Sequence, residues 1–155
     1  MFEKVKKRLG KVIPKKKERN IAVFVDGPNI LRKELAIDLE DVKKKLLSYG
    51  NLRIAKVFLN QFASNKLVEA VVNQGFESIV TVGDIDVAMA VEATESIFNK
   101  NIQAIAFVSR DSDFLPAVIK AKRYGKETIV VLAEKASAAA LKNTADEVIV
   151  IKKEG

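Results

Sequence analysis

The sequence predicts a three-layer, Rossmann-like α/β fold: a mainly parallel sheet of five or six strands with helices on both faces. Three observations carry this. Short, near-continuous apolar runs such as Ile21-Ala22-Val23-Phe24-Val25 and Ile105-Ala106-Phe107-Val108 alternate with helix-length amphipathic segments. That is the pattern of strands buried on both faces and joined by crossover helices. Glycines fall where helical segments should stop, at Gly50, Gly75 and Gly125. Finally, apolar runs end in turns that carry carboxylates, and such turns open on the ligand-binding edge of a parallel sheet.

Taken in order, the first strand is Ile21–Val25, followed by the turn Asp26-Gly27-Pro28-Asn29. A helix is expected from about Leu39 to Tyr49, with Gly50 as its stop. A strand covers Leu52–Leu59, a helix about Ser64 to Asn73, and a strand Phe76–Val82. The next helix runs from about Asp86 to Phe98, and the fourth strand is Gln103–Val108. A helix follows Asp113, with Pro116 in its first turn. Then come a strand at Thr128–Leu132, a short Ala-rich helix at about Ala136 to Leu141, and a last strand at Glu147–Ile151. The organisation is a basic arm (residues 1–20), one domain (21–151) and a short tail (152–155).

Composition narrows the chemistry. The 155 residues suffice for one domain with a real core. There is no cysteine and no histidine. Thiolate nucleophiles, disulfides, a serine–histidine triad and the usual zinc ligands are thereby excluded. Carboxylates with a hard cation remain, and oxygen ligands favour Mg²⁺ or Mn²⁺. No apolar run is long enough to span a membrane and no signal peptide is visible, so the chain reads as cytoplasmic. The net charge of +7 sits in residues 1–20, which hold nine Lys/Arg against Glu3 and Glu18; the other 135 residues hold 18 of each sign. Phe2, Val5, Leu9, Val12 and Ile13 recur at helical spacing among those lysines, as in a short amphipathic basic helix ended by Pro14. A basic arm suits an acidic partner, RNA ahead of a membrane surface.

Topology turns the acids into a candidate site. If strand 1 neighbours strand 4, Asp26 lies beside Asp111 and Asp113 at the point where the winding reverses. A third acidic turn, Gly83-Asp84-Ile85-Asp86, opens a helix. On it Asp86, Ala90, Ala93 and Ile97 share a face, expected to be buried together with Val87 and Phe98, while Glu92 should point to solvent. Each acid also has a plain structural reading. Asp113 and Asp86 are good helix N-caps, and Asp26 could close an Asx-turn before Gly27-Pro28. Asn29 could cap an Ile30–Leu35 segment or orient a phosphate. Ser109 and Ser112 are turn formers that could bind an acid or a phosphate, and Arg110 could contact substrate. Clustered carboxylates repel unless a cation neutralises them, and a divalent ion does so while activating water.

These residues resemble a family. Val25-Asp26-Gly27-Pro28-Asn29, Asp86-Val87-Ala88-Met89-Ala90-Val91-Glu92 and Ser109-Arg110-Asp111-Ser112-Asp113-Phe114-Leu115-Pro116 resemble the three motifs of NYN domains, PIN-like nucleases, and look closest to their LabA-like prokaryotic branch. The closing Leu141–Asp146 stretch looks familial too. The resemblance covers about Ile21 to Ile151 and implies a PIN-like fold with Mg²⁺- or Mn²⁺-dependent RNA cleavage. It places acidic positions on Asp26, Asp86, Asp111 and Asp113 and the family asparagine on Asn29. Many members carry Lys-Gly where this chain has Gly83-Asp84.

The leading expectation is a metal-dependent ribonuclease. Asp26, Asp86 and Asp111 hold metal, Asp113 completes the shell or positions water, and Asn29, Ser109, Arg110 and Ser112 face the substrate. A different expectation is an RNA- or partner-binding module of the same fold with little catalysis. A phosphohydrolase using an aspartyl nucleophile is weaker, because Asp26-Gly27-Pro28-Asn29 lacks a second acid two residues on. Expected partners are RNA and, as an option, a second copy in a homodimer; no organic cofactor is expected.

Overall fold

The computed structural model describes residues 18–31, 38–109, 114–133 and 139–151. Within them six strands alternate with helices: β1 (Asn20–Asp26), α1 (Gly27–Ile30), α2 (Leu39–Leu47), β2 (Asn51–Asn60), α3 (Asn65–Asn73), β3 (Glu77–Thr81), α4 (Ile85–Ile97), β4 (Ala104–Val108), α5 (Leu115–Arg123), β5 (Glu127–Leu132), α6 (Ala139–Thr144) and β6 (Glu147–Val150). The strands form one sheet in the order β3-β2-β1-β4-β5-β6, and every pairing is parallel. The winding reverses between β1 and β4, as the strand-1–strand-4 expectation required.

Alternation along β1 explains the three layers. Ile21, Val23 and Val25 point into a core with Leu39, Val42 and Leu46 of α2 and Val71 of α3. Ala22 and Phe24 point the other way, into a core with Met89, Ala93 and Ile97 of α4, Ala117, Val118 and Ala121 of α5, and Leu141 of α6. Successive side chains of a strand face opposite sides, so a strand that is apolar throughout must be covered on both.

The helix stops divide into two kinds. Gly75 and Gly125 take φ of +88° and +83°. Each is followed by a six-to-one bond, Phe76 N–H to Val71 O at 3.3 Å and Lys126 N–H to Ala121 O at 3.0 Å. These are Schellman endings, which need a left-handed residue. Gly50 is different from expectation. α2 ends earlier, with Ser48 as its cap, and Gly50 is buried against the chain entering β1. A Cβ there would collide with the carbonyl oxygen of Arg19, so close backbone approach, not helix termination, requires glycine.

The Leu141–Asp146 stretch has a structural function. The Asp146 carboxylate accepts from both the backbone N–H and the hydroxyl of Thr128, at 2.9 Å each, and the Thr128 hydroxyl accepts from Asp146 N–H at 3.1 Å. This ties the start of β6 to β5. Lys122 lies 3.5 Å from the same carboxylate. Burial alone would push the Asp146 carboxyl up, but the Thr128 hydrogen bonds and the Lys122 ammonium outweigh it and hold the carboxyl below the usual aspartate value. A folded value below the unfolded one adds stability that is present above the unfolded value and lost as pH falls through the folded one. The melting temperatures of the wild type and Asp146→Asn should therefore converge on acidification from about pH 7 to about pH 2. A gap that stays constant would contradict this role.

Candidate active site at the switch point

Asp26 is the last residue of β1 and is 4% exposed, although it is a carboxylate. Ser109, the residue after β4, is fully buried, and its hydroxyl donates to Asp26 Oδ2 at 3.2 Å. The two are 83 residues apart in sequence. They meet because Val25 pairs with Val108 across the β1–β4 ladder. From this position Ser109, expected to face the substrate, holds the Asp26 carboxylate through its buried hydroxyl.

The turn after Asp26 is packed tightly. A Cβ on Gly27 would come within 2.5 Å of the Phe58 carbonyl oxygen and 2.6 Å of Leu59 Cδ2. The first helical turn therefore lies directly on β2, and Gly27 lets it do so. Asn29 falls inside this turn, which begins at Gly27. It does not precede the turn as an N-cap of a segment starting at Ile30. Its side chain lies outside the described residues.

Asp86 is in the first turn of α4, whose N-cap is Asp84. It is therefore not the cap of its helix, and Asp84 makes no capping bond through its side chain. α4 runs antiparallel to the strands and packs on β1, β2 and β4. Its N-terminus, with Asp86, thus stands at the sheet edge where Asp26 ends β1. Asp86 is half-buried and lines a groove of about 280 Å³ with Val87, Ala90, Val91 and Thr94 of α4 and Phe114, Pro116 and Ala117 around the start of α5.

Two expectations about α4 are corrected. Val87 and Phe98 are 57% and 58% exposed, not buried; the inner stripe is Met89, Ala93, Ser96 and Ile97. Apart from Asp86, the sequence of residues 85–91 is apolar, so periodicity could not select the buried face. Glu92 does not point freely to solvent. It pairs with Lys56 of β2 at 2.7 Å. Burial lowers the Lys56 pKa, but the Glu92 hydrogen bond and charge outweigh it and raise the ammonium above its usual value. This pair clamps α4 to β2 two turns below Asp86. Nothing in the spacing of Lys56 and Glu92 signalled it, because the contact depends on how α4 crosses the sheet.

Asp111 and Asp113, with Arg110 and Ser112, lie outside the described residues. Both ends of their segment are fixed, however, by Ser109 against Asp26 and by Phe114. Phe114 stacks on Phe107 of β4, with centroids 5.3 Å apart and planes at 24°. Among the described residues no group of three or more acidic or other metal-ligating side chains is assembled. Asp26 and Asp86 are the two of the four predicted acids whose placement at the edge is described.

A parallel sheet ordered 3-2-1-4-5-6, with a buried aspartate at its switch point and a second acid on the helix that crosses above it, defines a Rossmann-like α/β protein with an acidic upper edge. The chain matches the NYN domain family over residues 20–152 and belongs to it. It is 52% identical over 154 residues to an uncharacterized protein of Methanocaldococcus jannaschii, an alignment covering 99% of this chain and 61% of that protein. The chain thus spans about three fifths of that relative's length. A crystal structure of a protein of unknown function from Vibrio parahaemolyticus superposes with a TM-score of 0.76 at 21% identity, covering 90% of this chain and 96% of that one. That likeness concerns the fold. No helix among the described residues is long and apolar enough to cross a membrane.

Proposed function

We propose that this protein is a divalent-metal-dependent ribonuclease that hydrolyses RNA phosphodiester bonds at the β1–β4 switch point. The observation that carries the reading is Asp26, a buried carboxylate oriented by Ser109 at the ligand-binding edge of an NYN domain.

The donor chemistry fits a hard cation. Without histidine or cysteine, the candidate ligands are carboxylate oxygens, the set that Mg²⁺ and Mn²⁺ prefer. Asp26 and Asp86 would hold the ion, and Asp111 and Asp113, from the segment between Ser109 and Phe114, would complete its shell. Such an ion neutralises the clustered charge, lowers the pKa of water and steadies the leaving oxygen. The chain's own residues have simpler tasks. Ser109 fixes the rotamer of Asp26 by its hydrogen bond. The Lys56–Glu92 pair and the packing of Met89 hold α4, and so Asp86, at the edge. Asp113 positions the attacking water and takes up its proton. Asn29, Arg110 and Ser112 contact the phosphate. No side chain serves as a nucleophile. Purified protein should cleave labelled RNA when Mg²⁺ or Mn²⁺ is present and stop when chelator is added. RNA binding without metal-dependent cleavage would favour the non-catalytic module instead.

The basic arm supplies non-specific affinity in this reading. Arg19 is anchored by an ion pair with Glu127, and its carbonyl accepts from Asn51 N–H, so the deletion that tests the arm stops short of it. Each Lys/Arg–phosphate contact contributes about one unit or less to the slope of log affinity against log salt. Deleting residues 1–17 should flatten that slope by several units and leave cleavage of saturating RNA nearly unchanged, as read by RNA binding across a salt series. Equal slopes would assign the arm to another partner.

A further inference from the structure

Phe98 and Tyr124 are large aromatic side chains left 58% and 53% exposed. They occupy the C-caps of α4 and α5 and meet edge to face, with ring centroids 4.9 Å apart. Lys120 Nζ lies 6.0 Å from the centre of the Phe98 ring. Lys100 and Arg123 are exposed beside the two aromatics in sequence. Mutual packing explains why the rings touch, not why more than half of each faces water. Val87, Val91, Thr94 and Phe98 form one straight stripe on α4 at i, i+4, i+7 and i+11. A groove between α4 and α5 runs along the upper part of this stripe, from Thr94 to Asp86 and Pro116. From Asp86 to Phe98 the helix rises about 18 Å, at ~1.5 Å per residue.

The root of the basic arm lies against the loop that follows Phe98. Asn20 donates through its side chain to Asn101 O at 2.9 Å and through its backbone to Gln103 Oε1 at 2.8 Å. Lys126, two residues after Tyr124, donates to Asn99 O and Ile102 O at 2.8 and 2.5 Å. The acids nearby are turned elsewhere. Glu127 is engaged with Arg19, and Glu95 lines the cavity on the β2 side of α4 with Arg53 and Lys56. The corner thus combines two exposed aromatic residues with Lys100, Lys120 and Arg123, and an apolar track leads from it toward the acidic edge. Flat rings interleaved with cations are how proteins hold single-stranded nucleic acid without reading its sequence. A face meant for a second copy of the chain would not gather positive charge of one sign about its aromatic centre, because two copies would then repel.

We propose that Phe98, Tyr124 and Lys120 form a stacking platform for single-stranded RNA, from which the strand runs along the α4–α5 groove to Asp86. This rests on the ribonuclease reading and adds to it a binding surface remote from the acidic edge. It is tested with metal chelated, so that binding is measured apart from cleavage. The full chain and the variant Phe98→Ser/Tyr124→Ser are titrated against a labelled single-stranded oligoribonucleotide and its duplex. Single-strand affinity should fall roughly tenfold or more for the variant, as base–aromatic stacking dictates, with duplex affinity little changed. Phe98→Trp should retain or tighten single-strand binding, which a purely structural role for the ring would not produce. Unchanged single-strand affinity in the double variant overturns the proposal. So does loss of a wild-type dimer in sedimentation with RNA affinity preserved, since the patch then joins two copies. Platform-dependent binding by a wild type that never cleaves RNA leaves the platform standing and removes only the nuclease reading.

Discussion

Asp26→Asn is expected to abolish metal-dependent RNA cleavage while leaving the fold intact. The carboxylate is 4% exposed and held by Ser109, so its charge is set deep in the edge where a cation would sit. The amide is nearly isosteric, and its oxygen can still accept from Ser109, so packing is preserved. What is lost is a negative ligand. Metal-ion stabilisation is worth several kcal/mol, and each ~1.4 kcal/mol is tenfold in rate, so cleavage should fall by roughly a hundredfold or more. In metal-free protein the variant should melt at the same temperature or slightly higher, because removing one clustered charge relieves repulsion. Cleavage and melting must be measured on the same preparation. A sharp drop in melting temperature would make Asp26 a structural acid.

The second large effect is on stability and reaches the site through packing. Phe114→Ala removes a ring that is 2% exposed and stacked on Phe107, which itself packs against Phe24 with centroids 6.1 Å apart. Truncating a buried phenylalanine costs about 3–5 kcal/mol, transfer and cavity together. At about 2–4 °C per kcal/mol for a chain of this size, the melting temperature should fall by roughly 6–20 °C. Phe114 is also the first described residue after Asp111 and Asp113. Cleavage measured well below the melting point should therefore fall too, with a weaker apparent affinity for Mn²⁺. Full activity in a destabilised variant would mean that the site does not depend on this stack.

The sheet was legible because its signal is redundant. Six apolar runs, spaced by helix-length segments and closed by Gly75 and Gly125, admit little besides a parallel sheet. The adjacency of β1 and β4 followed from how such sheets wind. Details that depend on which way an element faces were not legible. The first half of α4 carries apolar residues on all sides, so its sequence could not say that Met89 faces the core while Val87 and Phe98 face water. Gly50 read as a helix stop, because a glycine required by the neighbouring backbone of Arg19 looks identical in sequence. Ser109 could be narrowed to an acid or a phosphate; only the β1–β4 register chose Asp26. Asp26 and Asp86 could be placed on one edge from topology, whereas the Lys56–Glu92 clamp needed the crossing of α4 over β2.

The most direct measurement is a crystal structure of the full chain soaked in Mn²⁺, with anomalous diffraction data collected to locate the ion. An anomalous peak is expected at the carboxyl end of β1, in direct coordination distance of Asp26 and enclosed by Asp86, Asp111 and Asp113. A soak with no peak there, or with Asp111 and Asp113 turned away from Asp26, would contradict it.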